Sequence, residues 1–455
     1  MAGYQDLRQR HVTTLMGIMP DLVQRLRWPE ERIRDERERG LRALLRVANE
    51  RSPWHRARLR AVDPETVREE DLPALPPMTK HDLMEHWDDI VTDPRLRLDG
   101  VERHLAGLTS DAYLLDEFHA VASGGSTGRR GVFVFGWNAW ATAYAGFVRT
   151  MFWDRSVAPT VASVPNALAM VAAQHATHMT SAIGQTFSGA ALPTERFPVT
   201  LPLDEIVAGL NAYRPTTLLG YASALAVLAL EAREGRLHIA PSRIISTSEP
   251  LLVEARRSVE EAFGAPVANV WGTSEAGPMA IGCWRGPGMH LCDDLVIIEP
   301  VDREGRAVAC GTRSDTAYVT AISNPTLPLI RFEVTDQITV LGTECPCGSA
   351  HRLIADVEGR LDDLFTYAGG VLVHPHVFRS VLARAAGVVE YQVRQTARGA
   401  EILALGALDD CAAPARSLER ELARLGVPSP RVDVRVVPVL ERQATGKIRR
   451  FVPLC

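Results

Sequence analysis

The spacing of hydrophobic and polar positions changes several times along the chain. Over residues 5–50, apolar side chains recur three and four positions apart with dense charge between them, as at Leu15, Met19, Leu22 and Leu26, which predicts helix. From about 110 to 280, short apolar runs alternate with helix-like segments: 131–135 then 139–150, 216–219 then 222–232, and 243–246 then 251–263. This alternation predicts an α/β fold with a largely parallel sheet.

The pattern turns to strands in the second half of the chain. Runs at 295–299, 317–322, 329–332 and 337–341 have few helical signals between them, which predicts a small β-rich subdomain over about 285–359. After Gly359, strand and helix patterns alternate again, with a clear strand at 432–439. We therefore predict a large N-terminal domain of α/β subdomains over 1–359, which includes the β-rich section, and a small C-terminal α+β domain over 360–455.

Composition narrows the possible functions. The 455 residues are 46% hydrophobic, and 50 basic against 55 acidic side chains give a net charge of −5, so bulk charge attracts neither nucleic acid nor an anionic membrane. No apolar run approaches the length of a membrane span, and charged residues interrupt the first 26 positions, unlike a signal peptide. A soluble protein of the cytoplasm is expected.

Lysine is scarce in this chain. Of the 50 basic residues only Lys80 and Lys447 are lysine, and the rest are arginine. In such a background a surviving lysine is informative, because a compact ammonium differs from a guanidinium where it must reach a small anionic centre. Lys447 is therefore a candidate catalytic residue, whereas Lys80 is expected to serve the structure of the N-terminal part.

A glycine-rich loop lies between two predicted strands. Its sequence, Ala122-Ser-Gly-Gly-Ser-Thr-Gly-Arg-Arg-Gly131, combines glycines, hydroxyls and a cation, which suits the binding of a polyphosphate. It is not a Walker A motif, and such a loop alone is also typical of a flexible turn. The candidate phosphate-binding residues are Ser123, Gly124, Gly125, Ser126, Thr127, Gly128 and Arg129.

Five further motifs follow in a fixed order. They are Ser248-Glu-Pro-Leu251, Trp271-Gly-Thr-Ser-Glu275, Pro328-Leu-Ile-Arg-Phe332 with Asp336, Gly359-Arg-Leu-Asp-Asp363 and Thr445-Gly-Lys-Ile-Arg449. Together with the loop, they resemble the motifs of the adenylate-forming superfamily of acyl-CoA synthetases, adenylation domains and luciferases. Segments 52–59 and 75–83 are similar to the phenylacetate–CoA ligase branch. The likeness covers nearly the whole chain but is patchy between about 137 and 210.

The resemblance implies an AMP-forming acyl-CoA ligase with ATP, Mg²⁺ and CoA. In such an enzyme the loop would hold the β- and γ-phosphates, Glu275 would ligate Mg²⁺, and Lys447 would bridge the acyl carboxylate and the α-phosphate. Residues expected around the adenine and ribose are Ser248, Glu249, Pro250, Trp271, Asp336 and Arg360. Taken singly, Glu275, Asp336 and Arg360 are also compatible with a helix-end charge, a turn and a surface ion pair.

The resemblance also implies a moving domain and a class of acid. Asp362 would be the hinge about which a mobile C-terminal domain swings after adenylation. The branch suggests an aryl or arylacetic acid, with Tyr221, Ala276 and Gly277 as candidate pocket residues. The sequence departs from the family pattern in three places: Arg129-Arg130 stands in place of Lys-Pro, Thr335 in place of Gly, and Ser248 in place of Gly or Ala.

The seven cysteines favour a metal site over disulfides, because their number is odd and no secretory signal is expected. Cys345 and Cys347 form a tight pair, and Cys283 with His290 forms a second one. A set of three thiols and one imidazole suits a structural, tetrahedral Zn²⁺ site, and some phenylacetate–CoA ligase relatives carry a similar arrangement. Ordinary free thiols are the alternative, and competing ligands are Cys292 and His351.

Two rival functions stay open at this point. In the first, adenylation is followed by transfer to a carrier-protein thiol or an amine instead of CoA. In the second, the chain is a non-catalytic ATP-binding scaffold, which the presence of both Lys447 and Glu275 disfavours. The sequence implies a small-molecule carboxylic acid as the partner, with no nucleic acid and no membrane.

Overall fold

The computed structural model describes residues 3–123, 131–157, 167–172, 176–190, 192–286, 288–357, 365–373, 376–382, 385, 388–408, 410–442 and 448–454. Gly124–Arg129, Arg360, Asp362 and Lys447 lie outside these residues. The chain forms two compact units. Unit 1 comprises Met1–Asn166, Gln174–Thr194 and Ala268–Val357, and unit 2 comprises Ala167–Ala173, Glu195–Val267 and Glu358–Cys455.

Helices and strands alternate through most of the described chain. The helices are α1 (Tyr4–Arg25), α2 (Glu30–Arg51), α3 (Pro53–Arg58), α4 (Lys80–Glu85), α5 (Trp87–Ile90), α6 (Leu98–Gly107), α7 (Trp137–Val157), α8 (Met179–Thr186), α9 (Leu203–Tyr213), α10 (Ala222–Arg233), α11 (Val253–Phe263), α12 (His376–Leu382) and α13 (Ala412–Arg424), with short 3-10 helices at Glu69–Ala74 and Ala368–Gly370. The strands are β1 (His119–Ala122), β2 (Val132–Phe135), β3 (Leu168–Ala172), β4 (Thr194–Pro198), β5 (Thr217–Tyr221), β6 (Arg243–Thr247), β7 (Val267–Thr273), β8 (Gly277–Gly282), β9 (Met289–Leu291), β10 (Ile297–Val301), β11 (Thr316–Thr320), β12 (Phe332–Val334), β13 (Val340–Leu341), β14 (Leu353–Ile354), β15 (Phe365–Tyr367), β16 (Val371–Val373), β17 (Val388–Thr396), β18 (Gly399–Gly406), β19 (Arg431–Val436) and β20 (Phe451–Val452).

The helical pattern over residues 5–50 corresponds to two helices. Helix α1 ends at Arg25, and α2 begins after Pro29, whose extended backbone forms the N-cap. Proline is tolerated at a helix start, and the extended backbone of Pro29 marks the break, whereas Pro20 is accommodated inside α1. Leu15, Met19 and Leu22 are buried, as the spacing predicts.

Unit 1 contains three groups of antiparallel strands. Strands β1 and β2 pair as a hairpin, and β10, β11 and β12 form a three-stranded sheet. Strands β7, β8, β9, β14 and β13 pair in that order, each antiparallel to the next. Most strands of these groups fall within the section that the sequence pattern marks as β-rich.

Arg331 explains why β12 begins later than the predicted run at 329–332. Its φ of 51° is left-handed, which is incompatible with a strand. The buried guanidinium pairs with Glu299 at 3.0 Å and donates to the carbonyl of Leu75. Met78 pairs with the backbone on both sides of Phe332, donating to the Arg331 carbonyl at 2.9 Å and accepting from the Glu333 N–H at 2.8 Å. The family-like segments 75–83 and 328–332 therefore bind each other.

A buried ion pair ties α7 to the turn before β10. The two terminal nitrogens of Arg149 each lie 2.7 Å from an oxygen of Asp294, and both side chains are almost fully buried. Burial alone would raise the pKa of Asp294, but the Arg149 guanidinium outweighs it and lowers that pKa to about 2. The contribution to stability is therefore fully present above about pH 4 and is lost as the pH falls toward 2.

Breaking this pair is expected to destabilise unit 1. Arg149→Met leaves the buried Asp294 carboxylate with only the more distant Arg25 guanidinium, 3.8 Å away, which costs up to about 3–5 kcal/mol. Arg103→Met is the matched control, because Arg103 and Asp99 form an exposed pair at 3.2 Å, and such pairs contribute about 1 kcal/mol or less. Urea denaturation at pH 7 measures both, and equal midpoints for the two variants would contradict the assignment.

Unit 2 combines a parallel sheet with a second, mixed sheet. Strand β5 pairs in parallel with β3 and β6, and β4 lies beside β3. The second sheet has the order β19-β18-β17-β20, in which only β17 and β18 are antiparallel. Leu225 and Val259 share one hydrophobic core with Phe365, Phe378 and Phe451.

The fold class predicted from the sequence is confirmed as α/β with a β-rich section. Unit 2 joins the chain after Val357 to two earlier segments, 167–173 and 195–267, so the division into domains 1–359 and 360–455 stays a prediction. The mobility of 360–455 stays a prediction. Among the described residues, no helix is both long enough and apolar enough to cross a membrane.

Candidate active site and metal centre

The base of the glycine-rich loop is closed by a pair of hydrogen bonds. Strand β1 ends at Ala122, opposite Val132 of β2, so residues 123–131 connect the two strands of a hairpin. The Ser123 N–H donates to the Gly131 carbonyl at 3.0 Å, and the Gly131 N–H donates to Ser123 Oγ at 2.9 Å. The Ser123 hydroxyl predicted to face phosphate is thus a hydrogen-bond acceptor for the loop's own backbone.

The Trp271–Glu275 motif forms the tip of a second hairpin. Thr273 of β7 lies opposite Gly277 of β8, so Ser274, Glu275 and Ala276 make the turn. The Ala276 N–H donates to Thr273 Oγ1 at 3.1 Å, and Gly277 has a φ of 78°, which favours glycine. This turn holds the half-buried Glu275 carboxylate, an oxygen ligand of the type that Mg²⁺ prefers.

Trp271 and Asp336 meet although they lie far apart in the sequence. Trp271 Nε1 donates to Asp336 Oδ2 at 3.3 Å, and both side chains are buried. Unit 1 thus brings together the residue expected to stack beside adenine and the residue expected to bind ribose. Thr335 does not need a glycine conformation, because its φ is not positive.

Unit 2 carries the Ser248–Pro250 motif. Ser248 has a left-handed φ of 65°, a conformation in which glycine is less strained. Glu249 is buried, and its carboxylate accepts backbone N–H groups of Ser223 and Ile448, each at 2.9 Å. Both oxygens of Glu249 are therefore engaged, and no sequence pattern had indicated these partners.

Two of the predicted pocket residues lie in unit 1 and the third in unit 2. Ala276 and Gly277 belong to the β7–β8 hairpin, where the position of a Cβ on Gly277 would be 3.3 Å from Ala143 Cβ of α7. Tyr221 is buried at the carboxyl end of β5. Their role as a pocket stays a prediction.

Lys80 lies beside the end of the glycine-rich loop. A Cβ added to Gly131 would be 3.1 Å from Lys80 Cε, so this side chain passes beside the end of the loop. The predicted structural role of Lys80 in the N-terminal part stays a prediction.

The four predicted zinc ligands form a cluster in unit 1. One ligand atom from each of Cys283, His290, Cys345 and Cys347 lies within 4.8 Å of the others. Cys283 Sγ is 3.3 Å from Cys345 Sγ, and Cys347 Sγ is 3.3 Å from His290 Nε2. Ligands about 2.3 Å from a tetrahedral Zn²⁺ are about 3.8 Å apart, so the cluster needs only small adjustments to bind the ion.

The surroundings of His290 orient it as a ligand. Its Nδ1 is 3.1 Å from the carbonyl of His351, which can only accept, so the proton belongs on Nδ1 and the Nε2 lone pair faces the cysteines. The ring nitrogens of His351 face the carbonyls of Leu291 and Arg25. The competing ligand His351 therefore supports the cluster from outside.

The chemistry of the thiols is also compatible with a metal. A hydrogen bond from Cys347 contributes most to lowering the pKa of Cys283 to about 3, which favours a thiolate within the cluster. Cys292, the other competing ligand, is buried beside Arg149, and burial raises its pKa to about 12. Burial also raises the pKa of Cys345, and a hydrogen bond to Cys283 raises that of Cys347, so the geometry and not the acidity of the thiols selects the four residues.

Sequence comparison relates the chain to a CoA ligase. No protein-family model matches the chain. The chain is 26% identical over 388 residues to the phenylacetate–coenzyme A ligase of Thermus thermophilus, a match that covers 80% of this chain and 78% of the relative.

Solved structures of another ligase are similar over nearly the whole chain. The 2-hydroxyisobutyryl-CoA ligase in the postadenylation state, in complex with R3-HIB-AMP, has a TM-score of 0.72 at 23% identity and covers 95% of this chain and 91% of its own. The same ligase with 2-HIB-AMP and CoA in the thioesterification state has a TM-score of 0.61 at 22% identity and covers 94% and 91%. The resemblance to the adenylate-forming superfamily is thereby confirmed, in fold by the 2-hydroxyisobutyryl-CoA ligase structures and in sequence by the phenylacetate–CoA ligase.

Proposed function

We propose that this chain is an AMP-forming acyl-CoA ligase. A carboxylate oxygen of the acid attacks the α-phosphorus of ATP and pyrophosphate leaves, and the thiol of CoA then attacks the acyl carbon and AMP leaves. The contact between Trp271 and Asp336 carries the proposal, because it joins two motifs 65 positions apart into one place suited to adenosine. The relatives support it, since the solved 2-hydroxyisobutyryl-CoA ligase is described in complex with an acyl-AMP and CoA.

The residues of the chain would act mainly by positioning and by charge. Residues 123–129 would bind the β- and γ-phosphates, and the backbone of Ser248, Glu249 and Pro250 would flank the adenine. Asp336, with Arg360, would accept and donate hydrogen bonds at the ribose hydroxyls. Mg²⁺ held by Glu275 would neutralise phosphate charge. Lys447 would stabilise the charge that develops between the carboxylate and the α-phosphate.

The two half-reactions would use two positions of the C-terminal part. Asp362 would be the hinge, so that Lys447 serves adenylation and a different surface of 360–455 serves transfer to CoA. Such an enzyme would work in the cytoplasm, where ATP and CoA are available.

The acid is proposed to be aryl or arylacetic. The support comes from the curated phenylacetate–coenzyme A ligase, whereas the solved 2-hydroxyisobutyryl-CoA ligase is named for an aliphatic hydroxy acid. Tyr221, Ala276 and Gly277 are the proposed pocket residues. Any acid panel must therefore contain both classes.

The Cys283, His290, Cys345 and Cys347 cluster is proposed to bind a structural Zn²⁺. Four protein ligands fill a tetrahedral site and leave no open position for substrate. The ion would link the segment around β9 to the turn at 345–347. Its contribution would be to the stability of unit 1.

The adenylation half of the proposal is tested by acid-dependent exchange of labelled pyrophosphate into ATP. The panel contains phenylacetate, benzoate, 2-hydroxyisobutyrate and a series of aliphatic acids, each with ATP and Mg²⁺. We expect exchange with at least one aryl or arylacetic acid. Binding of ATP without exchange for any acid would instead favour the non-catalytic scaffold.

A further inference from the structure

Both ends of the segment 443–447 are held by residues of unit 2. Before it, Arg442 Nη1 donates to Ser223 Oγ at 2.9 Å. After it, the Ile448 N–H donates to Glu249 Oε1 at 2.9 Å. The segment itself, which includes Lys447, lies outside the described residues. Arg442 and Ile448 thus contact Ser223 and Glu249, which are hydrogen-bonded to each other at the start of α10.

The Glu249 carboxylate joins this region into one unit. Its Oε2 accepts the N–H of Ser223 in the first turn of α10, and its Oε1 accepts the N–H of Ile448. The N-cap residue of α10, Tyr221, makes no side-chain cap, so Glu249 supplies both the acceptor and the negative charge that a helix N-terminus favours. Hydrogen bonds to a buried carboxylate are stronger than those between neutral groups. The N–H of Ile448 is therefore fixed relative to α10.

Arg450 continues the attachment two residues later. Its guanidinium forms a buried ion pair with Glu390 of β17, in which Nη2 lies 2.7 Å from both carboxylate oxygens. It also donates a hydrogen bond to the Pro250 carbonyl at 3.1 Å. The Arg450 carbonyl accepts from the Val393 N–H at 2.7 Å. The chain after residue 447 is therefore held both by the 249–250 segment and by the second sheet of unit 2.

We propose that Ser223 and Glu249 are positioning residues for Lys447. Together with Arg442 and the Ile448 N–H, they form what we call the lysine anchor. The Ile448 N–H belongs to the same planar peptide unit as the Cα atom of Lys447, so the hydrogen bond to Glu249 acts on the backbone that carries the lysine. An error of about 1 Å in the position of a catalytic group can cost about 100-fold in rate. This inference rests on the proposed function, because it assumes that Lys447 acts in adenylation.

The anchor predicts a selective defect. Lys447 acts in the first half-reaction only, so loosening the anchor should slow adenylation and spare transfer to CoA. Binding of adenine by the Glu249 carboxylate itself, and not by the backbone of this segment, would instead raise the KM for ATP. A purely structural role would lower both half-reactions together.

The test compares Glu249→Gln and Arg442→Ala with Arg424→Ala as control. The amide introduced by Glu249→Gln keeps the shape of the side chain but offers one acceptor to two N–H donors, and Arg442→Ala removes the contact with Ser223. Arg424 lies at the end of α13 in the same unit, with an exposed side chain 2.9 Å from Glu421. Pyrophosphate exchange with phenylacetate, or with the acid of the panel that is turned over fastest, measures adenylation. Release of CoA thioester from the corresponding supplied acyl-adenylate measures transfer.

We expect Glu249→Gln to lower kcat for exchange about 10- to 100-fold, with KM for ATP and the transfer rate changed less than about 3-fold. Arg442→Ala should show the same pattern at about 3- to 10-fold. A raised KM for ATP at unchanged kcat, or an equal loss in both half-reactions, would overturn the anchor. If Glu249→Gln does not fold, Arg442→Ala decides by the same criteria. Lys447→Ala is measured in parallel, because normal exchange in that variant would refute the role of Lys447 itself and not only the anchor.

Discussion

Lys447→Ala is expected to lower the rate of acyl-adenylate formation by about 100- to 1000-fold or more. The ammonium would stabilise charge that grows between the acid and the α-phosphate, and an alanine offers nothing in its place. The same variant is expected to convert a supplied acyl-adenylate to the CoA thioester at nearly the normal rate. Pyrophosphate exchange and single-turnover transfer to CoA measure the two halves separately.

Two further variants define what the lysine contributes. Lys447→Arg retains the charge but not the compact ammonium, so it should restore only part of the exchange. Arg424→Ala, which removes an exposed cation elsewhere in unit 2, should behave as the unmodified protein. Equal losses in both half-reactions of Lys447→Ala would contradict a chain that uses two positions of its C-terminal part.

The second large effect is expected from the metal cluster. Purified protein should contain about one Zn²⁺ per chain by elemental mass spectrometry. The double variant Cys345→Ser and Cys347→Ser should lose the metal and melt about 10 °C lower. The reason is that an ion whose free concentration is about 1000 times its Kd stabilises the folded state by about 4 kcal/mol. Chelation of the unmodified protein should give a shift of the same sign.

Cys310→Ser is the matched control for the zinc prediction. Cys310 is an exposed cysteine of unit 1 outside the four-residue cluster, so this variant should retain the metal and the melting temperature. Protein that contains no zinc, or chelation that changes neither the metal content nor the melting temperature, would contradict a structural ion. Because all four positions are filled by protein, substituting the ligands should affect stability before catalysis.

Local patterns were sufficient to predict many elements of the fold. The pairs β2 and α7, β5 and α10, and β6 and α11 occur where the alternation of apolar runs and helix-like segments placed them. The differences in detail have local causes as well. The helical stretch over 5–50 is interrupted at the extended Pro29, and the left-handed Arg331 delays β12 because it makes a buried ion pair that the hydrophobic pattern does not encode.

The site was predictable in its parts but not in its assembly. The motifs identified Trp271 and Asp336 separately, but their contact depends on how strands and loops of unit 1 pack. His290 and His351 were both candidate metal ligands, and the hydrogen bonds of their ring nitrogens distinguish them. Glu249 was assigned to the nucleotide by its motif, whereas its two backbone partners come from distant segments and have no side-chain pattern to reveal them.

In the proposed reaction, the chain joins a carboxylic acid to CoA through an acyl-adenylate. Mass spectrometry of the protein incubated with ATP, Mg²⁺, CoA and the acid panel tests it most directly. We predict a new mass that corresponds to the CoA thioester of an aryl or arylacetic acid, together with AMP and pyrophosphate. Acyl-adenylate without any thioester would contradict CoA as the acceptor and indicate a carrier-protein thiol or an amine, and the absence of both products across the panel would contradict the ligase itself.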